Sequence, residues 1–344
     1  MFSRIIQVAG FFIVLSVFII TACAFFTNYW LHAPLNLDDE KVLKIKSGDT
    51  LAKISQTLAD DDVLSHPKLL SLYSRLTERT KVRVGEYLIP AGSTPENLLK
   101  ILESGKVIAY SVLLLEGKTY KDFLAALAKK DNVELSLKEL SVSEQLALIN
   151  PELKHPEGWF FPNTYSYTSG ESDVDILKRS HKIMQRVLDE EWQTRAKDLP
   201  YKTPYEALIM ASIIEKETGV AYERAEIAGV FVRRLQKGMR LQTDPTIIYG
   251  LGDEYKGNIR RRHLRQKTAY NTYMIDGLPP TPIAMPGREA INAALNPKDG
   301  DSLFFVAKGD GSHQFSATLE EHNQAVRKYQ IEKRREDYRS SPAQ

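Results

Sequence analysis

Residues 203–219 read TPYEALIMASIIEKETG, an apolar stretch that begins with helix-start residues and ends with two glutamates. Threonine caps helix N-termini and proline suits the first helical position, so Thr203 and Pro204 predict the start of a helix. Residues two apart in a helix point about 200° away from each other. Glu215 and Glu217 therefore cannot share one face as a paired-carboxylate site.

The surroundings of Glu217 differ from those of its neighbour. Glu217 follows Ile213 and Ile214 by about one turn and so ends an apolar stripe of the predicted helix. A carboxyl group against apolar groups has a raised pKa, which suits proton donation near neutral pH. We therefore favour Glu217 over Glu215 as an acid catalyst. The alternative is that both belong to an exposed helix end, since glutamate forms helices well.

The composition predicts folded domains without a metal or a nucleic-acid partner. The chain has 344 residues, of which 43% are hydrophobic and 26% charged, and its formal net charge is only +2. That balance does not suggest binding to nucleic acid. Cys23 is the only cysteine, which excludes an intramolecular disulfide and a cysteine metal cluster. The seven histidines lack HExxH-type spacing, so we expect neither a metal site nor a cofactor.

The N-terminus carries a long apolar run. Arg4 is followed by IIQVAGFFIVLSVFIITACAFF, and a run of about 20 apolar residues is long enough to cross a bilayer as a helix. We expect Arg4 to stay in the cytoplasm and Tyr29 and Trp30 to lie at the membrane interface. The rest of the chain would then lie outside the cytoplasmic membrane. A cleaved signal peptide and a lipoprotein box at Cys23 are the alternatives.

A strand, a glycine turn and a helix follow one another three times after this run. Thr50, Thr94 and Thr119 stand at the predicted helix starts, where a hydroxyl can accept a bond from an unsatisfied amide. The three segments are LKIKSGDTLAKISQTL (43–58), YLIPAGSTPENLLKIL (87–102) and VLLLEGKTYKDFLAAL (112–127). The first resembles the LysM module, a small fold that binds N-acetylglucosamine glycans. The alternative is a small α+β spacer domain.

Helices alternate with long loops in the remainder of the chain. Helical patterns occur at 135–149, 173–196, 204–218, 221–237, 288–295 and from about 318, and a strand pattern at 302–307. The segments 157–168, 239–252 and 268–287 contain helix-breaking glycine and proline, so we predict loops or short strands there. Loops of this length in a compact domain are usually functional.

Five motifs in this order carry a family resemblance. They are EGWFFPNTY (157–165), ASIIEKET (211–218), RLQTDPTIIYGLG (240–252), YNTY with GLPPTPIAMPG (270–287), and LFFVAKGDGSHQFSATLEEHN (303–323). Together they resemble the endolytic murein transglycosylase family, also called YceG-like. The resemblance implies that Glu217, the second glutamate of EKE, is catalytic. The chain departs from the family pattern at Asn163, Thr281 and Met285, which puts a carboxylate role for residue 163 in doubt.

The pattern and the resemblance together give an α+β fold in three parts. Residues 1–30 form the cytoplasmic start and a transmembrane helix, and 31–128 a small LysM-like and linking α+β domain. Residues 129–344 form a mixed α/β catalytic domain. The resemblance implies a single-pass protein of the inner membrane with this catalytic domain in the periplasm.

The resemblance also implies a substrate and a reaction. The substrate is the glycan strand of nascent peptidoglycan, cleaved in its interior with formation of 1,6-anhydro-N-acetylmuramic acid ends. The resemblance further implies that this cut terminates strand growth and that peptidoglycan synthases are partners of the protein. As substrate-binding residues of the cleft we predict Gln242, Asp244, Tyr270, Asn271 and Tyr273, which supply hydrogen bonds and flat apolar surface.

Other functions fit the same sequence. One is a non-catalytic cell-wall-binding scaffold in which Glu217 is structural. Another is a hydrolytic muramidase with Asp244 as second carboxylate, because hydrolytic glycosidases generally use two. Asp244 precedes Pro245, so its side chain is also a candidate to cap a turn.

Overall fold

The computed structural model describes the backbone of residues 2–332 and the side chains of residues 6–332. Over this range the fold is a mixture of helices and short strands, as predicted. Residue 1, the Arg4 side chain and residues 333–344 belong to the predicted domains but lie outside the described residues.

The described chain forms two compact units. The small unit comprises residues 2–110 and 166–171, and the large unit comprises 111–165 and 172–332. The predicted domain boundaries after residues 30 and 128 stay predictions.

The small unit is built from helices around one antiparallel strand pair. Its elements are α1 (Phe2–His32), β1 (Lys41–Ile45), α2 (Leu51–Asp60), α3 (Pro67–Leu76), β2 (Gly85–Ile89) and α4 (Pro95–Ser104). In the pair, Lys41 of β1 lies opposite Ile89 of β2. Leucine, isoleucine and tyrosine side chains from the strands and helices form a separate hydrophobic core.

Helix α1 is the one helix of the described chain that is long and apolar enough to cross a membrane. Its last turn belongs to the small unit, because Trp30 and Leu31 are buried in that unit's core. The indole Nε1 of Trp30 donates to Ser65 Oγ at 3.0 Å. Trp30 thus packs against protein, whereas Tyr29 is 70% exposed, and the expected position of both at the membrane interface stays a prediction.

The large unit holds the remaining elements, most of them helical. They are β3 (Ala109–Leu114), α5 (Tyr120–Ala128), β4 (Val133–Glu134), α6 (Val142–Ile149), β5 (Asn163–Thr168), β6 (Glu171–Ser172), α7 (Asp173–Gln193), α8 (Pro204–Glu217), α9 (Arg224–Gln236), α10 (Asp244–Leu251), α11 (Arg261–Arg265), α12 (Arg288–Leu295), β7 (Phe304–Ala307), β8 (His313–Ser316) and α13 (Leu319–Val326). Strand β3 pairs with β5, and β7 pairs with β8 in antiparallel orientation. The chain passes from one unit to the other within β3, within β5 and within β6, so each of these strands is divided between the two units.

The three predicted strand–turn–helix repeats are confirmed. The hydroxyls of Thr50, Thr94 and Thr119 accept hydrogen bonds from the backbone amides at the starts of α2, α4 and α5. The preceding turns use Gly48, Gly92 and Gly117 at φ of +84°, +73° and +68°, a region that glycine adopts without steric cost. Local residue types thus determine where each helix begins.

Two secondary-structure predictions differ from the structure. The helix expected over 135–149 begins only at Val142, because Ser141 caps it and a two-residue strand precedes it. Residues 244–251, expected within a loop, form helix α10 with Pro245 in its first turn, where its missing amide hydrogen costs nothing.

Helix α8 lies in the core of the large unit. Every residue from Ala207 to Ile214 is buried, and α8 packs against α7, α9 and α12. Thr203 caps its N-terminus and Pro204 is its first residue, as predicted. Such an all-round apolar helix reaches the surface only at its two ends, and its last turn carries the two glutamates.

Candidate active site

Glu217 ends α8 at the wall of a cleft. The cleft has a volume of about 910 Å³ and is lined by the last turn of α8, by parts of α9, α10 and α13, and by β7. Three of the predicted substrate-binding residues, Gln242, Asp244 and Tyr273, line this cleft together with Glu217. Aromatic and apolar groups complete the lining at Ile248, Tyr255, Phe304 and Phe305.

The carboxyl group of Glu217 is partly buried and bonded to one hydroxyl. The Thr243 hydroxyl donates a hydrogen bond to Glu217 Oε1. The pKa of Glu217 is raised to about 7: burial is the largest cause and the nearby charge of Asp244 adds to it, while the Thr243 hydrogen bond and the charge of Arg234 act in the opposite direction. Near neutral pH the group can therefore both give and take a proton.

Gln242 holds an uncommon backbone conformation beside this carboxyl. Its φ is +52°, which few non-glycine residues adopt. Its amide donates to Thr272 O at 3.1 Å, and its side-chain Oε1 accepts from Arg234 Nη1 at 3.4 Å. Unusual backbone conformations persist only where the surrounding structure enforces them, and they concentrate at functional sites.

Asp244 and Tyr273 form a pair on the same side of the cleft. The Tyr273 hydroxyl donates to Asp244 Oδ1 at 2.8 Å. Burial raises the pKa of Tyr273, and the carboxylate of Asp244 adds to the rise. Asp244 is the first residue of α10, and Thr243 stands in the cap position. The carboxylate of Asp244 is engaged by the Tyr273 hydroxyl.

Tyr270 and Asn271 lie behind the cleft rather than in its lining. The Asn271 side-chain amide is buried and donates to the carbonyls of His263, Leu264 and Gln266. The Tyr270 hydroxyl bonds to Thr281 Oγ1 at 2.8 Å. Both residues therefore fix the course of the loops that present Tyr273.

Arg234 and Thr243 are site residues that the sequence did not reveal. Arg234 on α9 donates to Leu241 O at 2.9 Å and Leu303 O at 2.7 Å, and its guanidinium lies 5.0 Å from the ring centre of Phe304. Burial lowers its pKa. In the sequence it is one of two adjacent arginines, a pattern typical of a solvated helix face, so no local signal identified it.

A buried Glu223–His313 pair supports the wall of the cleft. Glu223 accepts from the His313 backbone amide at 2.9 Å and lies 2.8 Å from its Nδ1. Both side chains are less than 10% exposed, and His313 contributes to the cleft lining. His322, the second histidine of that motif, also lines the cleft and stacks on Phe304.

Glu215 faces a different cavity, which we call the Glu215 cavity. Its volume is about 840 Å³, and Leu113–Lys118, Pro162–Thr164, Glu215, Lys216, Thr218, Gly219 and Arg224 line it. Glu215 Oε2 accepts from the Gly287 amide at 3.0 Å. Burial raises the pKa of Glu215, as it does for Glu217. The predicted separation of the two glutamates is thus confirmed, since each lines its own cavity.

The three departures from the family pattern occupy separate places. Asn163 lines the Glu215 cavity. Met285 is fully buried, and its sulfur accepts from the Gly158 amide at 3.2 Å. Thr281 bonds to Tyr270 behind the cleft. Within the described part of the chain, no three histidine, cysteine, aspartate or glutamate side chains are grouped to hold a metal ion.

Known proteins resemble this chain over most of its length. A model of the YceG-like family matches residues 43–328. An endolytic murein transglycosylase of Bacillus subtilis (strain 168) is 32% identical over 326 residues, which are 89% of this chain and 90% of that relative. One of Streptococcus pneumoniae (strain D39) is 25% identical over 329 residues, 85% of this chain and 59% of that relative.

A solved structure extends the comparison to the fold. The crystal structure of a yceG-like protein from Listeria monocytogenes is 30% identical and matches with a TM-score of 0.52, covering 83% of this chain and 99% of that one. Because the family match covers most of the sequence, the chain belongs to the YceG-like family.

Proposed function

We propose that this protein is a peptidoglycan lytic transglycosylase and that Glu217 is its catalytic acid and base. The observation that carries the proposal is the Glu217 carboxyl group, whose pKa burial raises to about 7 in a cleft large enough for sugar rings. The names of the relatives from Bacillus subtilis and Streptococcus pneumoniae support the same activity.

The reaction needs one carboxyl group that gives and then takes a proton. Protonated Glu217 donates to the oxygen that links N-acetylmuramic acid to N-acetylglucosamine, and the bond from that oxygen to the anomeric carbon breaks. The Glu217 carboxylate then takes the proton of the muramic acid 6-hydroxyl, whose oxygen bonds to the anomeric carbon. A 1,6-anhydro ring closes and no water is consumed. A nucleophile held within the substrate has a high effective concentration, so no activated water is required.

Neighbouring side chains prepare Glu217 for both steps. The Thr243 hydroxyl stabilises the carboxylate formed after the first proton transfer. Gln242, Asp244 and Tyr273 line the cleft and offer hydrogen bonds and flat surface to the sugars. Tyr270 and Asn271 support the loops behind them.

The proposed location is the outer face of the cytoplasmic membrane, with α1 as a single anchor. The packing of Trp30 and Leu31 in the core of the small unit supports a retained helix over a cleaved signal, because cleavage near Cys23 would detach this turn from its helix. We further propose that the LysM-like segment 43–58 contacts glycan and that the protein terminates strands beside peptidoglycan synthases.

The test is mass spectrometry of the products that the full-length protein in detergent releases from peptidoglycan. The full chain is needed because Trp30 and Leu31 are core residues of the small unit. Internal fragments with 1,6-anhydro ends, made by the native protein and not by Glu217→Gln, are expected. Equal cleavage by the two proteins would refute the role of Glu217, and no cleavage by either would favour a binding scaffold.

A hydrolytic muramidase is a second candidate, because the carboxylate of Asp244 lines the same cleft as Glu217. Hydrolysis would leave reducing muramic acid ends in place of anhydro ends. It would also make Asp244→Asn about as damaging as Glu217→Gln, since both carboxylates would take part in the reaction.

A further inference from the structure

One short segment beside the active-site cleft concentrates positive charge. Residues 256–267 read KGNIRRRHLRQK, and we call them the basic segment. The segment has no carboxylate and six cationic side chains, which are Lys256, Arg260, Arg261, Arg262, Arg265 and Lys267. All six are exposed, and none of them forms an ion pair with a residue that the structure describes. The positive charge of the segment is therefore available to a ligand.

The acidic residues nearest in sequence do not neutralise this charge. Three of them lie within ten positions of the basic segment, namely Asp253, Glu254 and Asp276. Asp253 pairs with Lys121 at 3.2 Å, and Asp276 pairs with Arg240 at 2.9 Å. Of these three acids, Glu254 is thus the one whose carboxylate is left to offset the segment, against six cations. The local excess of positive charge favours an anionic ligand.

Buried polar groups hold the backbone of the basic segment in place. The Arg260 amide donates to His263 Nδ1 at 3.1 Å. The buried side-chain amide of Asn271 donates to the carbonyls of His263 at 3.0 Å, Leu264 at 3.3 Å and Gln266 at 2.6 Å. A merely solvated run of charges needs no such anchors. The arginines therefore stand on a fixed backbone, which lowers the entropic cost of binding a ligand there.

The arginines of helix α11 do not stabilise that helix themselves. Arg261 and Arg265 are four residues apart, so they lie on the same face of α11. Like charges at this spacing destabilise a helix. An anion that bound both guanidinium groups would remove this repulsion. A guanidinium also offers paired donors that match the two oxygens of a carboxylate.

The basic segment is continuous with the active-site cleft. Gly257, Asn258 and Ile259 line the cleft together with Glu217. Arg260 follows Ile259 directly, and consecutive Cα atoms are about 3.8 Å apart. A polymer that extends out of the cleft past Ile259 therefore meets the exposed arginines next.

The substrate of the proposed function is such a polymer. In murein, muramic acid bears a peptide on its lactoyl group, and that peptide carries free carboxylates. A peptide-bearing strand is therefore a chain with carboxylates at repeated positions along its length. The continuity of the basic segment with the cleft favours this strand over a membrane surface as the anionic ligand.

We propose that the basic segment binds peptide carboxylates of the glycan strand that occupies the cleft, with Arg261 and Arg265 as two of the carboxylate ligands. The proposal rests on the proposed function for its substrate. It assigns Glu217 to the sugar that reacts and the basic segment to the part of the strand that leaves the cleft.

The test is a binding measurement on full-length Glu217→Gln in detergent, which keeps the strands intact. Fluorescence anisotropy gives the Kd for soluble labelled peptide-bearing strands, with and without the further changes Arg261→Gln and Arg265→Gln. We expect the two arginine changes to raise Kd about threefold to tenfold at low salt, the effect of two exposed ion pairs. In 1 M salt the difference should nearly vanish, because the Debye length falls from about 10 Å at 0.1 M to about 3 Å.

A chemical change to the strand tests which of its groups is bound. Carbodiimide coupling with methylamine converts the peptide carboxylates into neutral methylamides and leaves the glycan intact. On these strands Arg261→Gln with Arg265→Gln should cause no loss of affinity. In the cleaving protein, the same two changes should raise KM on untreated strands by the same factor and leave kcat within about twofold, because Glu217 is untouched.

The matched control is Lys178→Gln with Lys182→Gln. These two lysines are exposed and four residues apart on α7, so the control removes the same charge at the same spacing. Its Kd should equal that of the unchanged protein. Thermal unfolding checks the fold of each variant, and the buried anchors His263 and Asn271 are kept in all of them.

Three outcomes would overturn the proposal. They are an unchanged Kd for untreated strands, an equal loss of affinity on methylamide strands, and no strand binding by either protein. If the arginine changes weakened binding to vesicles of anionic phospholipid and left strand binding unchanged, the segment would belong to a membrane contact instead. Arginine-dependent strand binding by a protein that cleaves no strand would refute only the proposed function.

Discussion

Glu217 and Glu215 are two residues apart on one helix, both lie against buried surroundings, and burial raises the pKa of both. They differ in their partners. Glu217 accepts from a hydroxyl at the wall of a cleft with a second carboxylate and an arginine nearby, whereas Glu215 accepts from a backbone amide. A raised pKa alone therefore does not identify the catalytic group. The cleft that the carboxyl group faces and the side chains around it are needed to identify it.

The two amide variants of these glutamates give the largest contrast. Glu217→Gln should lower the rate of 1,6-anhydro end formation by about 10²–10⁴-fold, the usual contribution of a general acid–base group. Glu215→Gln should lower it by less than about tenfold, because that carboxyl does not line the cleft. Product quantification by mass spectrometry measures both rates.

The control for this contrast is Glu139→Gln, at an exposed position of the large unit. Thermal unfolding of each variant checks that its fold is intact. A larger loss with Glu215→Gln than with Glu217→Gln would reverse the assignment of the catalytic carboxyl.

The pH dependence tests the same group without changing it. Because Glu217 must be protonated to donate, and its pKa is raised to about 7, the protonated fraction decreases as pH rises through that value. We expect kcat/KM to fall about tenfold per pH unit well above pH 7. Asp244→Asn removes a charge that raises the pKa of Glu217, so the fall should begin at lower pH. A rate that stays constant up to pH 9 would exclude Glu217 as the acid.

How far the sequence predicted this site depends on the range of the interactions involved. The cap at Thr203 and the divergence of Glu215 and Glu217 follow from local helix geometry, and both are confirmed. The bond from Thr243 to Glu217 joins residues 26 apart, and Arg234 depends on a carbonyl 69 residues away. Such partners are set by tertiary packing, which no local pattern specifies.

Tyr270 and Asn271 also show that a local pattern does not specify where a side chain points. Their motif fits a sugar-binding loop, yet Asn271 is 1% exposed and fixes backbone carbonyls. Only Tyr273, two positions later, reaches the cleft. Residue type and proximity in sequence thus pointed to a segment that reaches the cleft at Tyr273, while the direction of each side chain required the fold. Its role in substrate binding stays a prediction.

A smaller effect should follow from removing the Thr243 hydroxyl. In Thr243→Val the carboxylate of Glu217 loses its donor, so its charged form becomes less stable and its pKa rises further. The high-pH limb of kcat/KM should move up by roughly half to one pH unit. Thr243 makes no side-chain cap to α10, so the helix loses no capping bond. Thr243→Ser keeps the hydroxyl and should leave the limb in place; a shift equal to that of Thr243→Val would show that packing, not the hydrogen bond, sets this pKa.

The smallest effect concerns stability, where the two glutamates should behave alike. A raised carboxyl pKa means that the folded state holds its proton at higher pH than the unfolded state does, so stability falls as pH rises from about 4.5 towards 7. Replacing Glu217 by glutamine removes that loss. Allowing for partial exposure, we expect Glu217→Gln to gain on the order of 1–2 kcal/mol relative to the native protein between pH 4.5 and pH 8. Urea unfolding at the two pH values measures this difference.

Glu215→Gln should change the pH dependence of stability in the same direction, because burial also raises the pKa of Glu215. Both variants are expected to change the pH dependence of the free energy of unfolding in the same direction, whereas only Glu217→Gln should strongly lower activity. That outcome would show that the two carboxyl groups share burial but not catalysis. If Glu217→Gln left the pH dependence of unfolding unchanged, its carboxyl would ionise as freely in the folded protein as in the unfolded chain. The raised pKa that Glu217 needs to donate a proton near neutral pH would then have to arise only when bound substrate excludes water from the cleft.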